Sequence, residues 1–156
     1  MEQLLGTNFV NSSGPVDSSS IKESRVTCIY FCASWCPPCK VFTPILKEFY
    51  EDINCEIKQL EIVFVSADKD EESFKNYLAE MPWIAIPYGD KRIKNILDHF
   101  RLEGIPTLYV IKPDGECVTT KGRQDLIEEG SDCFVKWVQL IEGKNISKHI
   151  NLDKAE

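Results

Sequence analysis

The chain has 156 residues, 43% of them hydrophobic and 28% charged, the proportions of an ordinary globular domain large enough to bury its own core without staples. A net charge of -7 argues against binding to nucleic acid or to an anionic membrane surface by electrostatics, since both reward a surplus of Lys and Arg. No apolar run approaches the length of a membrane span, and Met1 to Pro15 lacks the basic region and apolar core of a secretory leader.

Thr7 to Asn11 reads as a short extended segment, followed by a turn and serine cluster from Ser12 to Ser20. From Val26 to Phe31 both alternating sets are apolar: Val26, Cys28, Tyr30 and Cys32 on one side, Thr27, Ile29 and Phe31 on the other. That pattern predicts a central strand covered on both faces, with Cys28 and Cys32 in the core.

Next comes Trp35-Cys36-Pro37-Pro38-Cys39-Lys40, two cysteines at the junction of the strand and a helical pattern. Positions i and i+3 of a helix's first turn satisfy the Cα separation of roughly 4.4–6.8 Å that a disulfide requires, so Cys36 and Cys39 can close and reopen a bond with little backbone movement. A helix starting at Pro37 or Pro38 places Cys36 just ahead of its N-terminus, where unpaired N–H groups and the dipole stabilise a thiolate. Cys36 is therefore the expected attacking sulfur. Cys39, one turn inside, suits the resolving role. One proline fits the first helical position, where its missing N–H costs nothing.

Half of a zinc site is the main alternative, but zinc takes four ligands, usually from a second close pair. The other cysteines (Cys28, Cys32, Cys55, Cys117, Cys133) and both histidines (His99, His149) are scattered singly, so no metal is expected. An inert structural disulfide is disfavoured too, because so short a loop constrains the unfolded chain little.

Phe42, Ile45, Leu46, Phe49, Tyr50 and Ile53 recur at helical spacing, which predicts an amphipathic helix from about Pro38 to Asp52. Pro44 withdraws one hydrogen bond, to the carbonyl of Lys40, and is expected to kink this helix below the motif. Leu60 to Val65 is a buried strand, closing a right-handed parallel crossover. Asp70, Glu71 and Glu72 open a helix whose apolar side is Phe74, Tyr77 and Leu78. Met81 to Gly89 is a break carrying Pro82, Pro87 and an aromatic expected to be exposed, Trp83. Asp90 begins a helical segment with Ile93, Ile96, Leu97 and Phe100 inward, and His99 beside that face is given no chemistry.

Pro106 directly precedes the apolar run Thr107 to Ile111, a position a strand tolerates only at its first residue, and an X-Pro bond accommodates cis at modest cost. Pro113-Asp114-Gly115 turns the chain, so Thr107 to Thr120 reads as an antiparallel hairpin. Ser131 and Asp132 cap a last helix with Phe134, Trp137, Val138 and Ile141 inward and Gly143 as its stop. A single domain over 1–143 with a polar, frayed tail over 144–156 is the expected organisation. The odd cysteine count and absence of a framework spacing fit a reducing compartment, so the sequons at Asn11 and Asn145 are read as chance. The expected location is the cytoplasm, with the nucleus as a second compartment.

This order of elements resembles the thioredoxin fold, and the match is closer to the tryparedoxin and nucleoredoxin branch. Three segments carry it: Ala33 to Lys40, Met81-Pro82-Trp83 with Pro87, and Ile105-Pro106-Thr107-Leu108. The resemblance implies a three-layer α/β/α sandwich on a mixed sheet, parallel strands joined by a C-terminal antiparallel hairpin. It also implies a cis Ile105-Pro106 bond facing the CxxC pair, where the backbone pairs with bound substrate. Trp35, Pro37 and Trp83 would then flank the substrate groove, and Glu103 and Arg123 match the acidic residue and arginine through which tryparedoxins contact their reductant.

Two departures are visible. Ordinary thioredoxins carry a buried aspartate six residues before the first cysteine; here Tyr30 stands there, as in tryparedoxins, leaving water or a phenolic hydroxyl as proton acceptor for Cys39. Ala67 stands where tryparedoxins have a tryptophan. The function expected is reduction of protein disulfides by a Cys36–Cys39 dithiol in a monomeric protein without a bound cofactor. An upstream reductant recharges it: trypanothione, glutathione or a thioredoxin reductase. A redox-dependent binding module with little turnover, of nucleoredoxin type, is the alternative.

Overall fold

The structure is a computed structural model that describes residues 1–143; the expected polar tail, 144–156, lies outside them. Its centre is β3 (Val26–Cys32), every residue of which is buried. The two apolar alternating sets read from the sequence do go to opposite faces: Val26, Cys28, Tyr30 and Cys32 join one hydrophobic cluster, Ile29 and Phe31 the other. β3 pairs in parallel with β4 (Leu60–Ser66) and antiparallel with β6 (Thr107–Ile111).

Outward from β4, the two-residue β5 (Ile84–Ala85) pairs in parallel. A hairpin of β1 (Asn8–Asn11) and β2 (Gly14–Asp17) then attaches through Val10 and Ala85. On the other side β7 (Cys117–Thr119) pairs with β6. The seven-stranded order is β2-β1-β5-β4-β3-β6-β7, a mixed sheet with helices on both faces, as expected. β2 is a correction: its residues read as turn, because Pro15 breaks the strand pattern. It is tolerated there because β2 is the sheet's outermost strand, where one row of N–H groups has no ladder to join.

On the first face lie α3 (Pro37–Ile53), α4 (Glu71–Leu78) and α7 (Cys133–Glu142), with Leu46, Phe49, Phe74, Phe134 and Trp137 in a common cluster. α3 continues through Pro44 as one helix. Asp70 caps α4 by accepting from the Ser73 N–H at 2.7 Å, and Gly143 ends α7 with φ 69°, a left-handed conformation suited to glycine. The opposite face is covered by α1 (Glu2–Leu5), α2 (Ser19–Lys22) and α5 (Arg92–Phe100), through Leu5, Ile21 and Ile96.

Three helices are absent from the sequence reading: the one-turn α1 and α2, and α6 (Gly122–Glu129), of which only Gly122 and Leu126 are buried. Gly122 is where it crosses β6, since a Cβ there would lie 2.8 Å from the Leu108 carbonyl oxygen. Asp125 of α6 accepts from the Trp137 indole N–H at 3.0 Å, tying α6 to α7. Arg123, next to Gly122 in α6, lines the same groove as Ile105 and Pro106.

Candidate active site

The loop 33–35 connects β3 to α3 and is fixed from β4. The Ala67 N–H donates to the Cys32 carbonyl at 2.9 Å, continuing the β3–β4 ladder one step. Asp68, itself buried, accepts from both the Ser34 N–H (2.8 Å) and the Ser34 hydroxyl (2.6 Å), and its other oxygen accepts from Ser66 at 2.6 Å. The Trp35 indole N–H donates to the Ala67 carbonyl at 3.0 Å. The ring is left 53% exposed, with the Lys69 ammonium 5.5 Å from its centre. Trp35 is thus a held, solvent-facing apolar surface beside the cysteines.

Cys36 is the N-cap of α3, with Pro37 and Pro38 at the first two helical positions and both exposed. Neither proline carries an N–H, so the first amide of the helix is that of Cys39. Cys36 keeps 5% of its surface accessible and Cys39 none. The asymmetry has the expected sense. Both are free thiols, the reduced state of the pair.

Their electrostatics differ from the expectation of a low value at Cys36. The Cys39 sulfur is hydrogen-bonded by the thiols of Cys32 and Cys36, which together hold it down at about 6 against its burial. Cys36 is raised, first by burial and then by its hydrogen bond to Cys39, with the Cys39 amide and the Arg123 charge opposing the rise. The two protons therefore leave as a pair, one below the ordinary thiol range and one above it. Such a pairing would allow Cys36, the sulfur with access to solvent, to give up its proton to Cys39.

Beneath the pair lies a buried polar chamber. The Thr43 hydroxyl donates to the Cys39 carbonyl at 2.9 Å and is hydrogen-bonded by Tyr30 (2.7 Å) and Tyr77 (2.6 Å). Burial pushes both phenols well above their ordinary value. Tyr30 therefore does not serve as the proton acceptor for Cys39 that was one expectation for it; it is a donor committed to Thr43.

On the other side, Thr107 of β6 pairs with Phe31, so one step further along the register Pro106 stands beside Cys32. The Ile105–Pro106 peptide bond is cis. Ile105 and Pro106 line a groove of about 630 Å³ together with Glu103, Arg101, Lys121 and Arg123. Arg123, whose charge lowers both thiols, leaves its buried Nε without a hydrogen-bond partner among the described residues. Glu103 and Arg123, far apart in sequence, thus share one groove.

Trp83 requires correction. It is 1% exposed and packs edge-on against Tyr30 (6.1 Å between ring centres) and Tyr50 (5.5 Å), inside the core. The next residue, Ile84, pairs with Val63 of β4, and this strand pulls the indole inward. A ring so placed cannot flank a substrate groove. The sequence reading also missed Asp68, Thr43 and Tyr77, whose roles arise only when β4, α3 and α4 come together. Among the described residues no group of three or more His, Cys, Asp or Glu side chains could hold a metal ion, and no helix is long and apolar enough to cross a membrane.

A model of the thioredoxin-like family matches residues 24–117. The chain belongs to the thioredoxin superfamily. Mouse nucleoredoxin is 43% identical over 133 residues, covering 85% of this chain and 30% of that protein, so the chain spans about a third of the length of the nucleoredoxins it matches. The tryparedoxin of Trypanosoma brucei brucei is 38% identical over 133 residues, covering 84% of this chain and 91% of the relative. The crystal structure of native tryparedoxin I from Crithidia fasciculata superposes with a TM-score of 0.75 at 36% identity, over 83% of this chain and 92% of that one. These likenesses set the chain in the tryparedoxin and nucleoredoxin branch, a family of thiol–disulfide oxidoreductases.

Proposed function

We propose that this protein reduces protein disulfides through Cys36 and Cys39. The observation that carries the reading is the inequality of two hydrogen-bonded thiols at a helix start: Cys36 partly accessible at the N-cap, Cys39 sealed one turn inside. In the proposed reaction Cys36 sulfur attacks a substrate disulfide as its proton passes to Cys39, and the departing substrate sulfur is protonated by water. Cys39, once deprotonated, attacks Cys36, releasing the second substrate thiol and leaving the Cys36–Cys39 disulfide. Two electrons have then moved from the pair to the substrate. Trp35 and the Ile105–Pro106 backbone would hold the substrate, Pro37 beside Trp35 contributing apolar contact. The groove with Glu103 and Arg123 would receive the reductant, a small dithiol or thiol such as trypanothione or glutathione, or a thioredoxin reductase. No bound cofactor enters this scheme, and a monomer working in the cytoplasm or nucleus suffices for it.

The test is trapping. Cys39→Ser should accumulate a covalent adduct through Cys36 with a disulfide-bonded protein, and Cys36→Ser should not; equal trapping by both would overturn the assignment. Insulin reduction with dithiothreitol as electron source separates turnover from a binding module: acceleration over background supports the reductase.

A further inference from the structure

We infer that the groove beside Pro106 seats a small thiol bearing free carboxylates, of the glutathione kind, and that Arg101 and Lys121 are the residues that set this choice. The inference rests on the reductase reading, because it names the class of reductant that recharges the Cys36–Cys39 pair.

The chain carries a net charge of -7, yet the groove gathers three cations, Arg101, Lys121 and Arg123, around the carboxylate of Glu103. Among the described residues none of these four takes part in an ion pair. The buried Nε of Arg123 has no acceptor among them either. α6 begins at the same place, and its N-cap, Lys121, makes no side-chain cap. The amides of Gly122, Arg123 and Gln124 therefore have no intrahelical acceptor, and the helix adds its positive end to the groove. Unpaired positive charge and free N–H donors in a concave site are the complement of a carboxylate.

Arg101 shows that the charge is placed at a conformational cost. It ends α5 at φ 52°, the one non-glycine residue with positive φ among the described residues. Glycine suits that backbone better, and what arginine adds there is a guanidinium lining the groove.

The groove adjoins the dithiol, since the β3–β6 register sets Pro106 beside Cys32, at the end of the strand that leads into Cys36. Its volume, about 630 Å³, is that of a small-molecule site, roughly 300–1,000 Å³. Glutathione presents two carboxylates and an ammonium, so the cations can take the former and Glu103 the latter. Trypanothione has its glycine carboxylates tied up as amides of a cationic polyamine and leaves part of that charge unanswered.

Recharging balances with two such molecules. The first thiolate attacks the Cys36 sulfur, the Cys36–Cys39 bond breaks, and the electron pair leaves on Cys39, which takes a proton from water. The second thiolate attacks the glutathione sulfur bonded to Cys36; that bond breaks, Cys36 leaves as a thiolate and is protonated, and glutathione disulfide departs. Two electrons have passed to the pair.

The test uses the full chain with the pair oxidised. Its reduction is timed by acid quench and mass-spectrometric thiol counting, with excess glutathione or with glutathione diethyl ester, which keeps the thiol and masks the carboxylates. At low salt the native chain should prefer glutathione by about tenfold, the return of a few exposed charge pairs. The preference should shrink to about twofold near 1 M salt, where the Debye length is about 3 Å. Arg101→Gly combined with Lys121→Gln should abolish it. Arg101→Gly alone should not lower the urea midpoint, because glycine relieves the left-handed backbone, so a lost preference is not lost folding. Equal native rates with the two thiols would overturn the proposal. A preference that survives both substitutions would overturn it too, and a raised KM of that variant for a disulfide flanked by Asp and Glu would then give the groove to an acidic protein segment. These rates are read on the pair's own disulfide and need no protein substrate, whereas failure to reduce insulin overturns the reductase reading.

Discussion

Ser34 and Asp68 are joined twice, the backbone N–H and the hydroxyl of Ser34 both donating to one oxygen of the Asp68 carboxylate at 2.8 and 2.6 Å. The residue after Ser34 is the exposed Trp35 and the next is Cys36, so this carboxylate sets where the site begins. Asp68→Ala should cost about 1–3 kcal/mol, as expected for buried donors deprived of their acceptor, read from urea midpoints. It should also slow insulin reduction, since the Trp35–Cys36 segment loses its anchor. Asp68→Asn, which keeps one carbonyl oxygen, should fall between. An alanine variant as active and stable as the parent would show that the loop is held by the strand ladder alone.

The two tryptophans near the site should separate cleanly. Trp83→Ala removes a fully buried ring in contact with Tyr30 and Tyr50 and should cost about 3–5 kcal/mol. Trp35→Ala, at a half-exposed ring, should change stability by less than about 1 kcal/mol while raising KM for a protein substrate. Denaturation curves beside insulin kinetics decide this; a stable Trp83→Ala with impaired substrate binding would return Trp83 to the groove.

Thr43 accepts from two buried phenols, which makes its removal worse than the removal of either partner. Thr43→Val strands both donors, at about 1–3 kcal/mol each, whereas Tyr30→Phe gives up one hydrogen bond worth about 1 kcal/mol. The double variant should be less destabilised than the two single losses added together. Additive losses would mean that Tyr30 and Thr43 do not depend on one another.

The CxxC pair, β3 and the register face of each main helix are legible in the sequence because they rest on local spacing: Cys36 and Cys39 one turn apart, Val26 to Cys32 alternating, Phe42 to Ile53 recurring. What was not legible depends on partners distant in the chain. Trp83 looked exposed between two prolines until β5 paired with β4. α6 buries only Gly122 and Leu126, too few to make an apolar stripe, and β2 hides behind Pro15 on the sheet edge. Cys32, read as core, is fully buried. The expected low thiol at Cys36 followed from its place at a helix start, which says nothing of the burial and neighbouring thiols that raise it.

The shared titration predicts when the site reacts. Alkylation of the pair by iodoacetamide should rise with pH through about 6, the value to which hydrogen bonds from Cys32 and Cys36 draw Cys39. A free thiol follows only near 8.5. Folded-state depression also sets a sign for stability. In the window between about 6 and the ordinary thiol value the unfolded chain binds more protons, so this group's contribution is complete above that value and is lost as pH falls through 6. Mass-spectrometric alkylation rates from pH 5 to 9 check the onset; an onset at the free-thiol value would remove the hydrogen-bonded pair as its cause.

Cys133 reverses that sign. Buried in α7 and facing the negative charge of Asp125, its thiol is pushed up to about 12, with burial the larger cause. Above the ordinary thiol value of about 9 the unfolded chain releases a proton that the folded chain retains. Stability is therefore whole below that value and falls as pH rises through the interval to about 12, by up to about 1.4 kcal/mol per pH unit for one group. Cys28 and Cys32, raised by burial, act in the same direction. Cys133→Val keeps an apolar side chain in the same space and should cost less than about 1.5 kcal/mol at pH 7. It should also make the decline between pH 9 and 10.5 shallower by one proton. Urea denaturation under reducing conditions across that range measures the slope, and an unchanged slope in the variant would show that Cys133 ionises in the folded protein as freely as in the unfolded one.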